Sequence, residues 1–508
     1  MPASSENPTA PIIPPPYGRE YLLVLLAAGV LYVATVAPGP LWQDNGLAQI
    51  RTLRHDFCGD LGLALSHPLY YVLTTAFQVL PFAESAYKTN LVASVCGAVT
   101  VANLYLLLRL LTGRRIPAIV GALSLAVAHT FWQHCALAEV YTVSTALLTA
   151  ELLCLMRYQR GGAAGWLVLL FLANGLNVSN HMLASLDLPV WVVLLLWLLA
   201  QRRIRVGTLF AAGVAWLAGA SIYLSLIVGE IVRGHPVGTV IRSALFGDAY
   251  AGNVLNLHIG AGLLGKTILY LGLNFPTPAA LLGFVGLVAL RRHRWTIAAR
   301  AIGALLVIHL LWALHYNVPD QYTFFIPTVV LCAVVIGLGA DRWLAGRSRC
   351  WAAVAVVLAA LPPLVYLPLP YAVRKFDISL GVRHEIPYRD TYSYFLWPWK
   401  TNDDGPWRFA TEIRDTLPAG AVLLADSTSV RPLQYLMATG RWRTEIAVWP
   451  RLDTPSDTPW PPAEDLAQIF ASARVYVVTP VPGYCPGWLA QRCKFVPVGI
   501  VFQAQPLP

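Results

Sequence analysis

The run Tyr21-Leu22-Leu23-Val24-Leu25-Leu26-Ala27-Ala28-Gly29-Val30-Leu31-Tyr32-Val33-Ala34-Thr35-Val36-Ala37-Pro38 decides the class of this chain. It is apolar and long enough to cross a hydrocarbon core of roughly 30 Å at about 1.5 Å per residue. The rest of the sequence repeats the pattern. Over 508 residues, 57% are hydrophobic and 12% charged, with a mean hydropathy of +0.58, outside the range of soluble domains. The chain reads as a polytopic membrane protein. Residues 1–18 are polar and proline-rich, with neither a basic stretch nor a small-residue cleavage site before the apolar run. The first helix is therefore expected to stay in the protein.

Orientation follows from the arginines, because Lys and Arg accumulate in short cytoplasmic loops. Arg109, Arg114 and Arg115, then Arg157 and Arg160, then Arg202, Arg203 and Arg205, recur after alternate apolar runs. Arg291, Arg292 and Arg294, and later Arg342, Arg347 and Arg349, continue the series. The loops around 133–138, 177–181 and 315–321 contain no Lys or Arg, so these face outward. Keeping the alternation makes His67–Val79 and Gly260–Asn274, which carries Lys266, interfacial or re-entrant segments. About eleven spans result, with a cytoplasmic N-terminus and an external C-terminus.

Near Lys375 the character changes. Ala421-Val422-Leu423-Leu424-Ala425, Ile446-Ala447-Val448-Trp449 and Val475-Tyr476-Val477-Val478 read as strands, while Trp407–Leu417 and Val430–Ala438 carry helical spacing. The expected organisation is a cytoplasmic proline-rich tail over 1–18, a transmembrane domain over 19–374, and an external α/β domain over 375–508. The last is of ordinary size for a core of its own. Its Cys485 and Cys493 are the pair for which an external compartment permits a disulfide, and Cys96, Cys154, Cys332 and Cys350 read as packing residues in or beside spans. The net charge of +10 is largely the topological arginine, which suits anionic membrane lipids and gives no case for nucleic acid. No phosphate-binding glycine loop, nucleophile elbow or Cys/His metal cluster is present.

Chemistry is sought instead where the membrane makes polar groups expensive. Such residues gather in the outer loops. In order they run Trp42-Gln43-Asp44-Asn45-Gly46, His67-Pro68-Leu69-Tyr70, Tyr87-Lys88-Thr89-Asn90-Leu91, Phe131-Trp132-Gln133-His134, Ala138-Glu139-Val140-Tyr141, and Asn180-His181. Over roughly residues 20 to 190 this succession resembles a bacterial family of multispanning proteins related to protein O-mannosyltransferases, within the GT-C glycosyltransferases. Val318-Pro319-Asp320-Gln321-Tyr322 and the C-terminal region resemble it more loosely.

The resemblance implies a GT-C helix bundle that takes a sugar from a polyprenyl-phosphate donor and transfers it at the outer membrane face with inversion. The acceptor class, whether protein, lipid or glycan, is not legible, nor is the sugar. Asp44 matches the catalytic acid of the first outer loop and would serve as general base. Glu139 matches the acid of the second and would assist it. Relatives commonly carry a further acid soon after the first, where this chain has Asn45-Gly46-Leu47; this weakens the case for metal in that loop. No cofactor is called, and dependence on a divalent metal stays open.

A lipid-phosphate leaving group calls for cations or hydrogen-bond donors. Arg242 is the favoured clamp, with Arg233, Lys266, His67 and His181 as further candidates; Asn45, His134, Asp320 and Tyr322 are expected to line the cavity. Each has a plainer reading. Asp44 would cap a helix over Ile50–Arg54, Glu139 would favour a helix N-terminus, the cations would snorkel and Asp320 would sit in a turn. Trp397, Trp399 and Trp407 suit sugar stacking or an interfacial belt, and Asp426-Ser427-Thr428-Ser429 suits ligand binding at a strand end or helix capping. The competing functions are a transporter or flippase of lipid-linked saccharides, or an inactive scaffold of the same fold. Polar residues kept at the outer rim favour the enzyme.

Overall fold

A computed structural model describes residues 17–247, 251–254, 259–293, 295–383, 385–450, 470 and 473–507. The proline-rich tail up to residue 16 lies outside them. Helices dominate. Among the described residues, six single helices are long and apolar enough to cross a membrane: Gly18–Thr35, Ser85–Thr112, Met182–Ala200, Val206–Val232, Thr296–His315 and Gln321–Trp343. Three further pairs reach that length together but bend sharply: Arg115–Ala126 with His129–Cys135 at 68°, Ala261–Asn274 with Pro278–Arg291 at 111°, and Arg349–Ala360 with Pro362–Lys375 at 40°. This makes nine at most. Two of the eleven expected spans fall short, Tyr141–Gly161 with Glu151 in its middle and Gly165–Asn180 with only 16 residues.

The bundle core is built by Ser85–Thr112, Tyr141–Gly161 and Gln321–Trp343, whose Leu104, Leu108, Leu155 and Val334 are fully buried. Close helix approach is made by glycine. A Cβ on Gly175 would stand 2.3 Å from the Trp216 carbonyl oxygen, and one on Gly219 2.5 Å from that of Leu172, so Gly165–Asn180 and Val206–Val232 touch backbone to backbone. Polar groups cross-link the bundle in its apolar interior. His309 Nε2 lies 2.6 Å from Asp187 Oδ1, both almost wholly buried. Glu151 accepts from Trp191 Nε1 at 2.6 Å, Asn174 Nδ2 at 3.3 Å and Asn177 Nδ2 at 3.4 Å. The acid that interrupts the fourth apolar run is thus surrounded by donors.

The C-terminal region carries a five-stranded sheet of β1 (Ala421–Ala425), β2 (Ala447–Pro450), β3 (Arg474–Val477), β4 (Cys493–Val498) and β5 (Val501–Pro506), in the order β2-β1-β3-β5-β4. β1 runs parallel to β2 and β3, with Leu423 opposite Val448 and Tyr476; β5 runs antiparallel to β3 and β4. The first three strands lie on the expected apolar runs. The last two were not expected, because Pro497 and Pro506 interrupt them; β4 tolerates Pro497 as an edge strand. Cys485 and Cys493 share one buried cluster as free thiols. Burial comes first among the causes that push the Cys485 thiol up to about 12.

The core under this sheet is not closed on itself. Phe409, Ile413, Leu433 and Leu436 bury against Trp42, Ile50 and Ala86 from the other end of the chain. Trp42 meets Phe409 edge-on at 5.2 Å, and the Tyr435 hydroxyl accepts from the Ala86 backbone N–H at 3.1 Å. The expected independent core is therefore shared with the segment that follows the first helix.

Candidate functional site

The helix Gln43–Arg54 begins one residue before Asp44, with Trp42 at its N-cap and no side-chain cap bond. Asp44 is thus exposed in the first turn and does not play the capping role. Gln43 itself adopts a left-handed φ of 49°, a conformation that costs about 1–3 kcal/mol outside glycine. The loop before it is pinned. Gln49 Oε1 accepts from Leu41 N at 3.0 Å, its amide donates to Gly39 O at 3.1 Å and to Asn90 Oδ1 at 2.9 Å, and Asn90 Nδ2 donates to Ala37 O at 3.0 Å. This gives Asn90 of the Lys88-Thr89-Asn90 motif a physical task.

Asn45 joins the two acid-bearing loops. Its Nδ2 donates to Glu139 Oε1 at 2.7 Å and to Ala138 O at 3.0 Å. The bond brings the residue after Asp44 onto Glu139; burial first and the Asp44 charge second push the Glu139 carboxyl up to about 8, with Asp320 adding to the effect. At neutral pH Glu139 therefore holds its proton for most of the time. Asp320 is exposed at its surface, yet desolvation by its surroundings raises its carboxyl above the usual range. Burial first, then the charges of Asp403, Glu139 and Asp44, act to raise the Tyr394 phenol.

The expected histidines form the adjoining wall. His67 has a left-handed φ of 50° before the helix Pro68–Phe77, and its Nδ1 donates to Asn180 O at 2.9 Å. His181 accepts from Leu183 N through Nδ1 at 3.0 Å, which leaves Nε2 to carry the proton of the neutral ring. The two rings stack at 4.7 Å. Burial, followed by His181 and Arg51, pushes His67 well below its ordinary value, and burial alone brings His181 to about 4. Tyr141 contacts His181 at 5.2 Å and His134 at 5.6 Å, and His134 meets Tyr322 at 6.0 Å. These rings link the histidine wall to Asp320's turn.

The expected cationic clamp does not converge here. Arg233 is exposed and paired with Glu230. Arg242 is exposed on the helix Val237–Phe246, on the side away from the packed Val240, Ser243 and Ala244, and Lys266 is exposed on Ala261–Asn274. Sequence reading missed the cations that are buried. Arg51 lies two turns from Asp44 on the same helix, donating to Ser66 O at 2.9 Å, paired with Asp56 at 3.3 Å and stacked 3.9 Å over Tyr71. Lys400, 3% exposed, donates to the carbonyls of Tyr394 and Trp397 at 2.6 and 2.7 Å. Burial brings its amine down to about 8. Its segment is held over the site, with His129 Nε2 bonded to Leu396 O at 3.1 Å and Gln133 Nε2 donating to Tyr394 O at 3.3 Å. Spacing of Arg51 from Asp44 was the one available signal. Trp397 and Trp399 stack on each other at 5.7 Å and Trp399 meets Trp132 at 5.6 Å, whereas Trp407 packs under Arg441. Among the described residues, no group of three or more His, Cys, Asp or Glu is placed to hold a metal.

Residues 65–204, which include His67, His134, Glu139 and His181, match the family described as Protein O-mannosyl-transferase TMEM260 N-terminal domain. The whole chain also overlays ArnT from Cupriavidus metallidurans, a structure bound to undecaprenyl phosphate, with a TM-score of 0.60 at 14% identity over 96% of this chain and 98% of that one. The fold is that of the GT-C glycosyltransferases. Arabinofuranosyltransferase AftD from Mycobacteria shares this GT-C fold with a TM-score of 0.50 at 15% identity, over 94% of this chain and 39% of AftD. The protein is accordingly an integral membrane protein with a GT-C bundle.

Proposed function

We propose that this protein is a membrane glycosyltransferase moving a sugar from a polyprenyl-phosphate donor to an acceptor hydroxyl at the outer face of the membrane. The observation that carries the reading is the Asn45 bridge, which holds the Asp44 turn against Glu139 at 2.7 Å. Two neighbouring carboxyls in unlike environments divide the work. Asp44, exposed to the recess, takes the proton of the acceptor hydroxyl as its oxygen attacks the anomeric carbon. The bond from that carbon to the phosphate oxygen breaks on the opposite face, and the phosphate leaves with the electron pair, so configuration inverts. Glu139, protonated near neutrality, donates a hydrogen bond that orients the acceptor beside Asp44.

His181 Nε2–H is the donor-side group in this reading, whereas Arg242, Arg233 and Lys266 lie exposed elsewhere; His67, whose Nδ1–H is spent on the Asn180 carbonyl, positions the His181 ring by stacking on it. The overlay on a structure that holds undecaprenyl phosphate supports a lipid-phosphate donor. The arginine alternation supports an outward site in about eleven spans, with the N-terminus cytoplasmic and the C-terminal sheet external. The test uses membranes supplied with radiolabelled polyprenyl-phosphate sugars, comparing the wild type with Asp44→Asn. Transfer lost by at least a hundredfold, with the protein still folded, is expected for loss of a general base. Equal transfer by both proteins sinks the assignment, and movement of intact donor across the membrane without transfer establishes a flippase instead.

A further inference from the structure

The Asp426-Ser427-Thr428-Ser429 stretch follows β1, at the carboxyl end of the parallel strands, where open α/β sheets take ligands. Its helix N-terminus is already filled. Asp426 Oδ1 accepts from Thr428 N at 3.0 Å, and Oδ2 accepts from the Ser429 hydroxyl at 2.6 Å. The surplus lies beside it, in positive charge. Arg383 Nη1 donates to Asp426 Oδ2 at 2.6 Å, and Arg389 Nη2 donates to the Arg383 carbonyl at 3.0 Å. Asp426 is the only carboxylate in ion-pair reach of Arg383 among the described residues, and Arg389 has none.

What remains on Arg383 has a definite shape. Nε and Nη2 form one edge of the guanidinium, and neither has a hydrogen-bond partner although both are buried; Arg389 Nε is in the same condition. The residues are 9% and 8% exposed. Desolvated donors without acceptors are costly, and two guanidiniums held together repel: burial first, then Arg383 after the Tyr394 contribution, act on Arg389, whose pKa is lowered. One oxyanion that presents two oxygens across the Nε/Nη2 edge satisfies the fork bidentately and adds the negative charge that Arg389 lacks.

The geometry points to an oxyanion-binding site at Arg383 and Arg389, taking a phosphate or carboxylate group of a substrate. The ring of Tyr484 covers the guanidinium face of Arg383 at 4.0 Å, leaving the in-plane edge for the ligand. Because the donor nitrogens are shut off from solvent, entry requires the turn carrying Tyr484 to lift. Arg389 also lies 5.1 Å from the ring centre of Tyr394. The inference rests on the transfer reading only for the identity of the substrate, and the binding is measured without transfer.

The test is binding to the purified full-length protein, with inorganic phosphate and a short-chain polyprenyl phosphate as probes, read by titration calorimetry and by the shift in unfolding temperature. Saturable binding is expected for at least one probe. Arg383→Lys, which keeps the charge beside Asp426 but loses the fork, should weaken it at least tenfold, and Arg389→Gln is the second variant should the first not fold. Competition between the two probes identifies the lipid phosphate as the source; simultaneous binding identifies an anionic acceptor. Absence of saturable binding by either probe, or unchanged affinity in a folded Arg383→Lys protein, overturns the site. Repeating the titration in Asp44→Asn separates the two readings, since phosphate still bound by a protein with normal sugar transfer would defeat the general base and leave the anion site intact.

Discussion

At the scale of single residues, Asn45 is the informative departure. In the stretch Asn45-Gly46-Leu47, where the resemblance leads one to expect a further acid, the Asn45 amide donates to Glu139 and opposes the upward push of burial and Asp44 on that carboxyl. Asn45→Ala removes the donor, so Glu139 should keep its proton to a pH above about 8; the alkaline limb of the transfer rate should move upward in a pH profile. A limb left unmoved would show that Glu139 does not govern it. The same carboxyl links pH to stability. Its folded value lies above the ordinary 4.5, so the folded state binds the proton more tightly and stability falls as pH rises from about 4.5 through about 8. Unfolding temperatures of Glu139→Gln across that window should decline less steeply than those of the wild type. None of this was readable from spacing: the sequence displays Asp44, Asn45 and Glu139, but a hydrogen bond across 94 positions appears only once the loops meet.

At the scale of elements, glycine and a tyrosine hydroxyl determine how the first outer helix meets the sheet layer. A Cβ on Gly46 would stand 2.3 Å from the Leu41 carbonyl oxygen and 2.7 Å from the Arg431 Cβ. Gly46→Ala should therefore cost about 1–3 kcal/mol through overpacking, measured by thermal unfolding in detergent, and should reduce transfer because Asp44 shares the displaced turn. Tyr435→Phe leaves the buried Ala86 N–H without its acceptor, a loss of about 1–3 kcal/mol. A neutral result for both would mean that the helix and sheet are not mechanically joined. Element type was legible here where periodicity was strong: the expected Trp407–Leu417 and Val430–Ala438 became Gly405–Thr416 and Ser427–Ala438. Elements broken by proline were not, because a strand at an edge accepts Pro497 while no local pattern announces its partner.

At the scale of the whole molecule, two polar cross-links divide the bundle's labour. Asp44 beside the Asn45–Glu139 link is exposed, whereas Asp187 and His309 are sealed inside and join Met182–Ala200 to Thr296–His315. Asp187→Leu alone or His309→Leu alone leaves a buried polar partner and should cost about 3–5 kcal/mol, while the double substitution should cost less than either single change. Double-mutant unfolding measures this, and additive losses would refute the coupling. The fold class was readable because hydropathy and arginine alternation act over the whole chain. The site was readable only in part, since cations exposed at loop positions look the same in sequence as cations that converge. The shared core of Trp42, Phe409 and Leu433 has a consequence for how such a protein can diversify. The sheet cannot be exchanged as a cassette: a graft taken from a relative must bring its own first outer loop or leave Trp42 stranded. Any change written into the sheet is therefore inherited together with the turn that carries Asp44.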